Sequence, residues 1–305
     1  MNEEIKNSSK PDFNVYIKPD WVSDADWERV EKAKSRSKML HYLWEKKQES
    51  INKATEKPLQ LCFWPEPKRG SPNSCLRSAL FAAIQGKTRK AIKRQTIAAQ
   101  GGYEIVFTGW QLDQADFDVL LQALHLAKQH PLGNICSFTG RSFLKATGRA
   151  TGGNSLEWLK DSIHRLRGAV IEIKTPKADW NTYNLLSAAS GNDLADTYSF
   201  QIDPIIIKLF APDDWTALEW EQRKKLQRKA LALWLHGYYS SHAAPYPVKV
   251  STLCELSGSN SRNFIGRLKK ALTALSEVTS WYFHIDENNL VHCNKALALG
   301  LKKNA

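Results

Sequence analysis

The chain has 305 residues, 43 of them Lys or Arg against 31 Asp or Glu, for a formal charge of +12 and a pI near 9.4. A cationic surplus of that size points to a polyanionic partner, the length to about two domains, and 42% hydrophobic residues are enough for real cores. The five cysteines (62, 75, 136, 254, 293) form no CxxC pair and no Cys/His spacing suited to zinc, no apolar run reaches membrane-spanning length, and the acidic, Lys-rich N-terminus is no signal peptide, so reduced thiols in a cytoplasmic protein without metal or cofactor are expected.

Residues 1–60, rich in Glu, Lys, Asn and Ser with Trp21, Trp27 and Trp44 scattered among them, read as a flexible, partly helical N-terminal arm. LQLCFWPEPKRGSP, with three prolines and a glycine, marks the loop that opens a first domain, 61–212. Within it follow a helix around LRSALFAAI, a strand in GYEIVFTG, a helix in QADFDVLLQALHLAKQ, a short strand near NICSFT, then the helical stretches GRSFLKATG and NSLEWLKDSIHRL. Three extended runs, AVIEIK, TYNLLSAAS and TYSFQID, complete a set of helices backed by an antiparallel sheet, an α+β arrangement.

A second domain, 213–305, begins with a helix in QRKALALWLHGYY, a proline-braced strand in PYPVKV and a short helix in STLCELSG. SGSNSRNFIGRLKKALTAL, residues 257–275, is the next helix, with Ser259 or Ser261 as its N-cap. At about 100° per residue, Phe264, Ile265, Leu268, Ala271, Leu272 and Leu275 fall on one apolar side. Arg262, Asn263, Gly266, Lys269, Lys270 and Thr273 fall on the other, with Arg267 at its flank, and Gly266 lets a partner approach the backbone. SWYFHID and NLVHC, joined through Glu287, Asn288 and Asn289, close the domain as a hairpin.

Helix, strand, helix, turn, helix, hairpin is the order of a winged helix-turn-helix, whose second motif helix enters the major groove. Ser259, Asn260, Ser261, Arg262, Asn263, Gly266, Arg267, Lys269 and Lys270 are the candidate DNA-reading residues, and Lys249 on the preceding strand is a phosphate contact. GRSFLKATG and NSLEWLKDSIHRLRG repeat the plan loosely with a three-strand sheet behind, so two tandem winged-helix domains are expected. A monomer then carries two groove-reading helices. The solvent-facing edge formed by YEIVFTG, AVIEIK and TYNLLSAAS is available to a second copy.

Catalytic signatures are missing. Gly86, Lys87 and Thr88 end FAAIQGKT like a phosphate loop, but Phe81 stands where the first glycine belongs. Tyr238 and Tyr239 have no His-x-His metal pair to serve them as nucleophiles, and His284 and His292 can meet only as a cross-strand pair.

WPEPKRGSPNSCLRSALF, YEIVFTGWQL, YYSSHAAPYPVKVSTLCELSGSNS and NNLVHC resemble, in sequence, order and spacing, the TrfA-type plasmid replication initiators over roughly residues 60–295. The resemblance implies tandem winged-helix domains that bind double-stranded iterons in a plasmid origin, help open the adjacent AT-rich DNA, and recruit the bacterial host's initiator DnaA, helicase DnaB and sliding clamp. It also implies inactive dimers that dissociate to active monomers. Ser259–Ser261, Arg262 and Asn263 match the start of the family's recognition helix, whereas Ile265 and Gly266 stand where basic residues are expected, implying a different iteron sequence. Gln60, Leu61 and Phe63 in QLCFW resemble a QLxLF-type clamp-docking peptide; the same residues also read as an apolar staple holding the arm to the first domain. A winged-helix regulator that binds an operator is the alternative function.

Overall fold

The computed structural model describes residue 24 and residues 59–84, 89–175 and 178–295, all but the first within the compact unit Leu59–Ala305. Most of the expected arm, and Gly86, Lys87 and Thr88, lie outside the described residues.

The first half is built around α2 (Gln114–Ala127), a helix buried nearly all round, as its dense apolar run demands. Its start is fixed by a capping box: the Asp113 carboxylate accepts from the backbone N–H of Ala115 and Asp116, and Asp116 accepts in return from Asp113. Before it come β1 (Lys68–Pro72), α1 (Asn73–Leu76), β2 (Phe81–Ala82), β3 (Ala91–Ile97), β4 (Glu104–Trp110) and β5 (Leu112–Asp113). After it come β6 (Ile135–Thr139), α3 (Gly140–Ala146), α4 (Gly153–Arg167), β7 (Val170–Thr175), β8 (Ala178–Asn184), β9 (Ala188–Asn192) and β10 (Thr197–Gln201). The strands form a four-stranded antiparallel sheet, β3-β4-β7-β8, and a three-stranded one, β6-β10-β9. Both contribute to one core, through Ile105, Phe107, Ile171 and Tyr183 of the first and Cys136, Phe138, Tyr198 and Phe200 of the second.

The second half holds β11 (Trp215–Glu219), α5 (Trp220–Lys225), α6 (Ala230–Ser240), β12 (Val248–Lys249), α7 (Val250–Leu256), α8 (Phe264–Thr279), β13 (Tyr282–Ile285) and β14 (Leu290–Asn294). From Leu226 onward its apolar residues make a second core, with Trp234, Tyr239, Leu253, Leu268, Leu275 and Val291 buried between α6, α7, α8 and the sheet β12-β14-β13. β11 pairs antiparallel with β1, and Leu218 and Trp220 join the first core. The hand-over between cores therefore falls between Trp220 and Leu226.

Several sequence expectations are corrected. The proline-marked loop contains β1, because Lys68–Pro72 finds a partner strand in β11. The helix expected around LRSALFAAI ends at Leu76, and Phe81–Ala82 instead pairs in parallel with Leu112–Asp113; this run is buried on every side, which periodicity cannot assign to helix or strand. AIKRQTI, not foreseen as a strand, is β3, its alternation hidden by a bulge between Ile92 and Gln95 where Arg94 takes φ 45°. TYNLLSAAS breaks between two sheets, so a three-strand backing becomes two sheets. The helix foreseen from residue 227 starts at Ala230, after Arg228 at φ 64°. YEIVFTG is interior, between β3 and β7, so the free edges of that sheet are β3 and β8.

Arg223 joins the two cores. Its guanidinium, 1% exposed, pairs with Asp118 and donates to Gln114 Oε1 at 2.8 Å, both on α2, and to the Leu233 carbonyl of α6 at 3.1 Å. Replacing Arg223 with Met strands a buried carboxylate and should cost about 3–5 kcal/mol, whereas Arg223→Met with Asp118→Leu should recover most of it. Urea unfolding of both variants reads the difference; equal losses would contradict this role.

Two buried histidines are neutral. Trp64 Nε1 donates to His125 Nδ1 at 3.1 Å, leaving the Nε2 proton for Glu66 at 2.9 Å, and burial pushes the ring's pKa down to about 4. His236, fully buried with Nε2 3.1 Å from Gln222 Oε1, is pushed by burial to about 3. Unfolded, both take a proton below about 6.5; folded, they do not, so stability present above 6.5 is lost on acidification. Each should steepen the loss by about 1.4 kcal/mol per pH unit from 6.5 down toward 4. Urea unfolding across that window tests this; a flat profile is the contrary result.

Candidate nucleic-acid interface

α7 and α8 are joined by a turn that the first half holds in place. The Ala83 N–H donates to the Ser257 carbonyl at 2.7 Å. Gly258 takes φ +62°, and a Cβ there would lie 2.9 Å from that of Ala82, so conformation and contact both exclude a side chain. Ser257 Oγ donates to the Cys254 carbonyl at 3.0 Å, tightening the end of α7. Ser259, Asn260, Ser261 and Arg262 thus project from a braced turn rather than from a helix.

The cap of α8 is Asn263, not Ser259 or Ser261: its Oδ1 accepts from the Gly266 N–H at 3.1 Å. A Cβ on Gly266 would stand 2.8 Å from that oxygen, so the glycine makes room for the chain's own cap. Phe264, Leu268, Ala271, Leu272 and Leu275 are buried as expected, and Ala274 joins them. Ile265 does not, being 40% exposed at the rim of the stripe, about 100° from Phe264. Arg262, Asn263, Lys269, Lys270 and Thr273 are exposed, with Gly266 and Arg267 partly covered. From Ser257 to Ser276 there is no carboxylate.

A groove of about 530 Å³ runs between the start of α6 and α8, with Arg228, Lys229, Arg267 and Lys270 on its walls and Glu277 at one end. Arg228 and Lys229 were not singled out in the sequence, although they close the basic run RKKLQRK. Lys249 is exposed on β12, paired opposite Leu290 of the hairpin. Asp286 shapes the hairpin tip by accepting from the N–H of Asn288 (2.9 Å) and Leu290 (2.8 Å) and from His292 Nε2 (3.0 Å), bonds that hold its carboxyl below the ordinary range. His284 and His292 are cross-strand partners with stacked rings, centroids 4.3 Å apart.

The corresponding surface of the first half differs. The outward side of α4 carries Glu157 and Asp161 beside His164 and Arg167, and Lys160 is held between Glu157 and Asp193. At the β9–β10 tip Asp193 and Asp196 flank a fully exposed Leu194. Charges of both signs are mixed there, so the cation-rich helix, acid-free up to Ser276, is α8 and not α4.

In the 59–64 segment Leu61 is buried in the first core, Gln60 Nε2 donates to the Lys128 carbonyl at 3.0 Å, and Phe63 faces solvent, 83% exposed. Trp64 lies against Gly70, whose Cβ its ring would occupy. This geometry is that of a staple; docking of Gln60, Leu61 and Phe63 in an external pocket requires the segment to leave the core. Tyr238 and Tyr239 are buried, Tyr238 donating to Gln100 at 2.6 Å. Among the described residues no His, Cys, Asp or Glu group suits a metal, and no helix is long and apolar enough to cross a membrane.

The cap geometry makes a double-mutant cycle informative. Asn263→Ala should cost about 1 kcal/mol. Gly266→Ala evicts the cap while gaining about 1 kcal/mol of helix propensity, so it should be near neutral in the natural chain and stabilising in the Asn263→Ala background. Thermal unfolding of the four chains checks this, and an equal effect of Gly266→Ala in both backgrounds would contradict the steric coupling.

Comparison with known proteins places the chain. A plasmid replication initiator protein TrfA from Escherichia coli is 29% identical over 273 residues, covering 82% of this chain and 70% of that protein. A crystal structure of domains 2 and 3 of RctB superposes with a TM-score of 0.52 at 16% identity, covering 73% of this chain and 96% of that one, a likeness of fold. A profile of the TrfA protein family matches residues 24–295, so the chain belongs to the TrfA family of plasmid replication initiators.

Proposed function

We propose that the chain initiates replication of a plasmid by binding repeated double-stranded sites in its origin through the turn 259–263 and α8, opening the adjacent AT-rich DNA by binding energy rather than by catalysis. The observation that carries this is the joint face of the turn and α8: Arg262 of the turn and Lys269 and Lys270 of the helix exposed, Arg267 beside them, the helix's other side locked into the second core, and no carboxylate between Ser257 and Ser276. Family membership supports the initiator role. The α6, β12, α7, α8, β13, β14 order gives the second half the winged form, with β13–β14 as its wing and Lys249 at a phosphate-contacting position. A first winged domain over 61–212 and a second over 213–305, recruitment of DnaA, DnaB and the clamp, and self-association of free chains belong to the same reading. For self-association the open edge is β8, which carries exposed Trp180, since β3 is bulged and basic.

Selection from a randomised duplex pool should return one consensus sequence. Arg262→Ala, Arg267→Ala and Lys270→Ala should each relax it, a base-reading side chain being worth about 1–3 kcal/mol of discrimination, while Lys249→Ala weakens all sequences alike. If every variant weakens the selected and mixed sequences equally, α8 is a phosphate anchor and not a reader.

A further inference from the structure

β3 is the least expected element of the fold, and basic residues cluster at it. Four basic side chains, Arg89, Lys90, Lys93 and Arg94, fall on it or just before it. Two are occupied: Arg89 bridges Asp113 (2.7 Å) and Asp116 (3.1 Å) at the start of α2, and Arg94 grips both oxygens of Glu172 on β7 at 3.1 and 3.0 Å. Lys90 and Lys93 are exposed and in no ion pair among the described residues. The anchored pair fixes the strand, and the other pair is left to solvent.

The position of β3 gives Lys90 meaning, with Lys93 three residues further along. A groove of about 300 Å³ separates it from the α7–α8 turn, with Lys90, Gln95 and Thr96 on one side and Glu255, Gly258 and Asn260 on the other. One short segment holds both walls. Ala79 N–H donates to the Ala98 carbonyl at the end of β3 (2.8 Å), and four residues later Ala83 N–H donates to Ser257 at the turn (2.7 Å). β3 is therefore held in register with the turn that presents Asn260, Ser261 and Arg262.

We propose that β3 is a second DNA-contacting element, in which Lys90 and Lys93, with Gln95 and Thr96 beside them, hold the phosphodiester backbone that borders the major groove read from the α7–α8 turn. This rests on the DNA-binding reading of α8. It supplies the first half with a backbone contact apart from α4, whose outward charges are of mixed sign, and it is a positioning contact: phosphates fix register and orientation, bases carry the sequence. A bulged edge strand bearing lysines also serves to prevent edge-to-edge pairing, which needs no DNA.

The full-length chain is titrated against a selected duplex and a mixed-sequence duplex over a salt series, for the natural sequence, Lys90→Ala with Lys93→Ala, and Arg262→Ala. The lysine pair should lower the slope of log affinity against log salt by about 0.9 per lost phosphate contact on both duplexes and leave their affinity ratio unchanged. Arg262→Ala should do the opposite, shrinking the ratio. If Arg262→Ala has its effect and the lysine pair leaves the slope unchanged, the β3 proposal alone is overturned. If the lysine pair leaves the slope unchanged but produces larger species in sedimentation, blunting the edge is their whole role and the proposal is likewise overturned. Absence of duplex binding by the natural chain overturns the α8 reading and this one together. A Lys90→Gln, Lys93→Gln pair, equally uncharged, answers the question if the alanine pair does not fold.

Discussion

A guanidinium taken out of water must find nearly all its partners in the protein, and Arg223 finds them on two helices besides its own. The pair it forms with Asp118 sits where one hydrophobic cluster ends and the other begins, its face against the Phe117 ring at 4.9 Å. Apolar contact alone would allow the two clusters to slide; a directional buried pair with a carbonyl acceptor fixes α6 to α2 in one register. Burial raises the Asp118 carboxyl while Arg223 works against that rise, the balance that makes such a pair intolerant of losing one member.

The same helix orders the rest of the surface. The capping residues of α2, Asp113 and Asp116, hold Arg89 just before β3, and Asp116 also accepts from Ser162 and Arg165 of α4. Three aspartates within six residues thus tie together the sheet edge, α4 and, through Arg223, the helix on which α8 packs. Cationic surface elements far apart in sequence are positioned by buried anions on one scaffold. Charges left over from that internal matching, on α8, on the α7–α8 turn and on β3, are the ones that face outward.

The amphipathic pattern of α8 was legible because a helix packed on one side only has a 3.6-residue period, and the strands of the final hairpin were legible because their turn residues punctuate them. Ile265 was placed on the wrong side because the wheel puts it at the rim, where neighbours decide exposure. Gly266 was understood as an opening for a partner because the sequence cannot show that Asn263 already fills it. β2 was lost in a run buried on all sides, and β3 was lost because the bulge at Arg94 breaks a two-residue period. Most consequential were residues whose function depends on a partner far along the chain: nothing local in Lys90 or Lys229 says that either lies beside α8 or its turn.

The bond from Ala83 to Ser257 closes a loop of more than half the chain. Contacts of such separation carry a large closure entropy and form late, after local helices and hairpins are in place. During synthesis α8 emerges last but one among the helical and hairpin elements, while the wall that braces its turn has been waiting since the first third of translation. The α7–α8 turn therefore acquires its shape only once both halves have been made, and a truncated product holding the second core alone would own the helix without the brace that aims it.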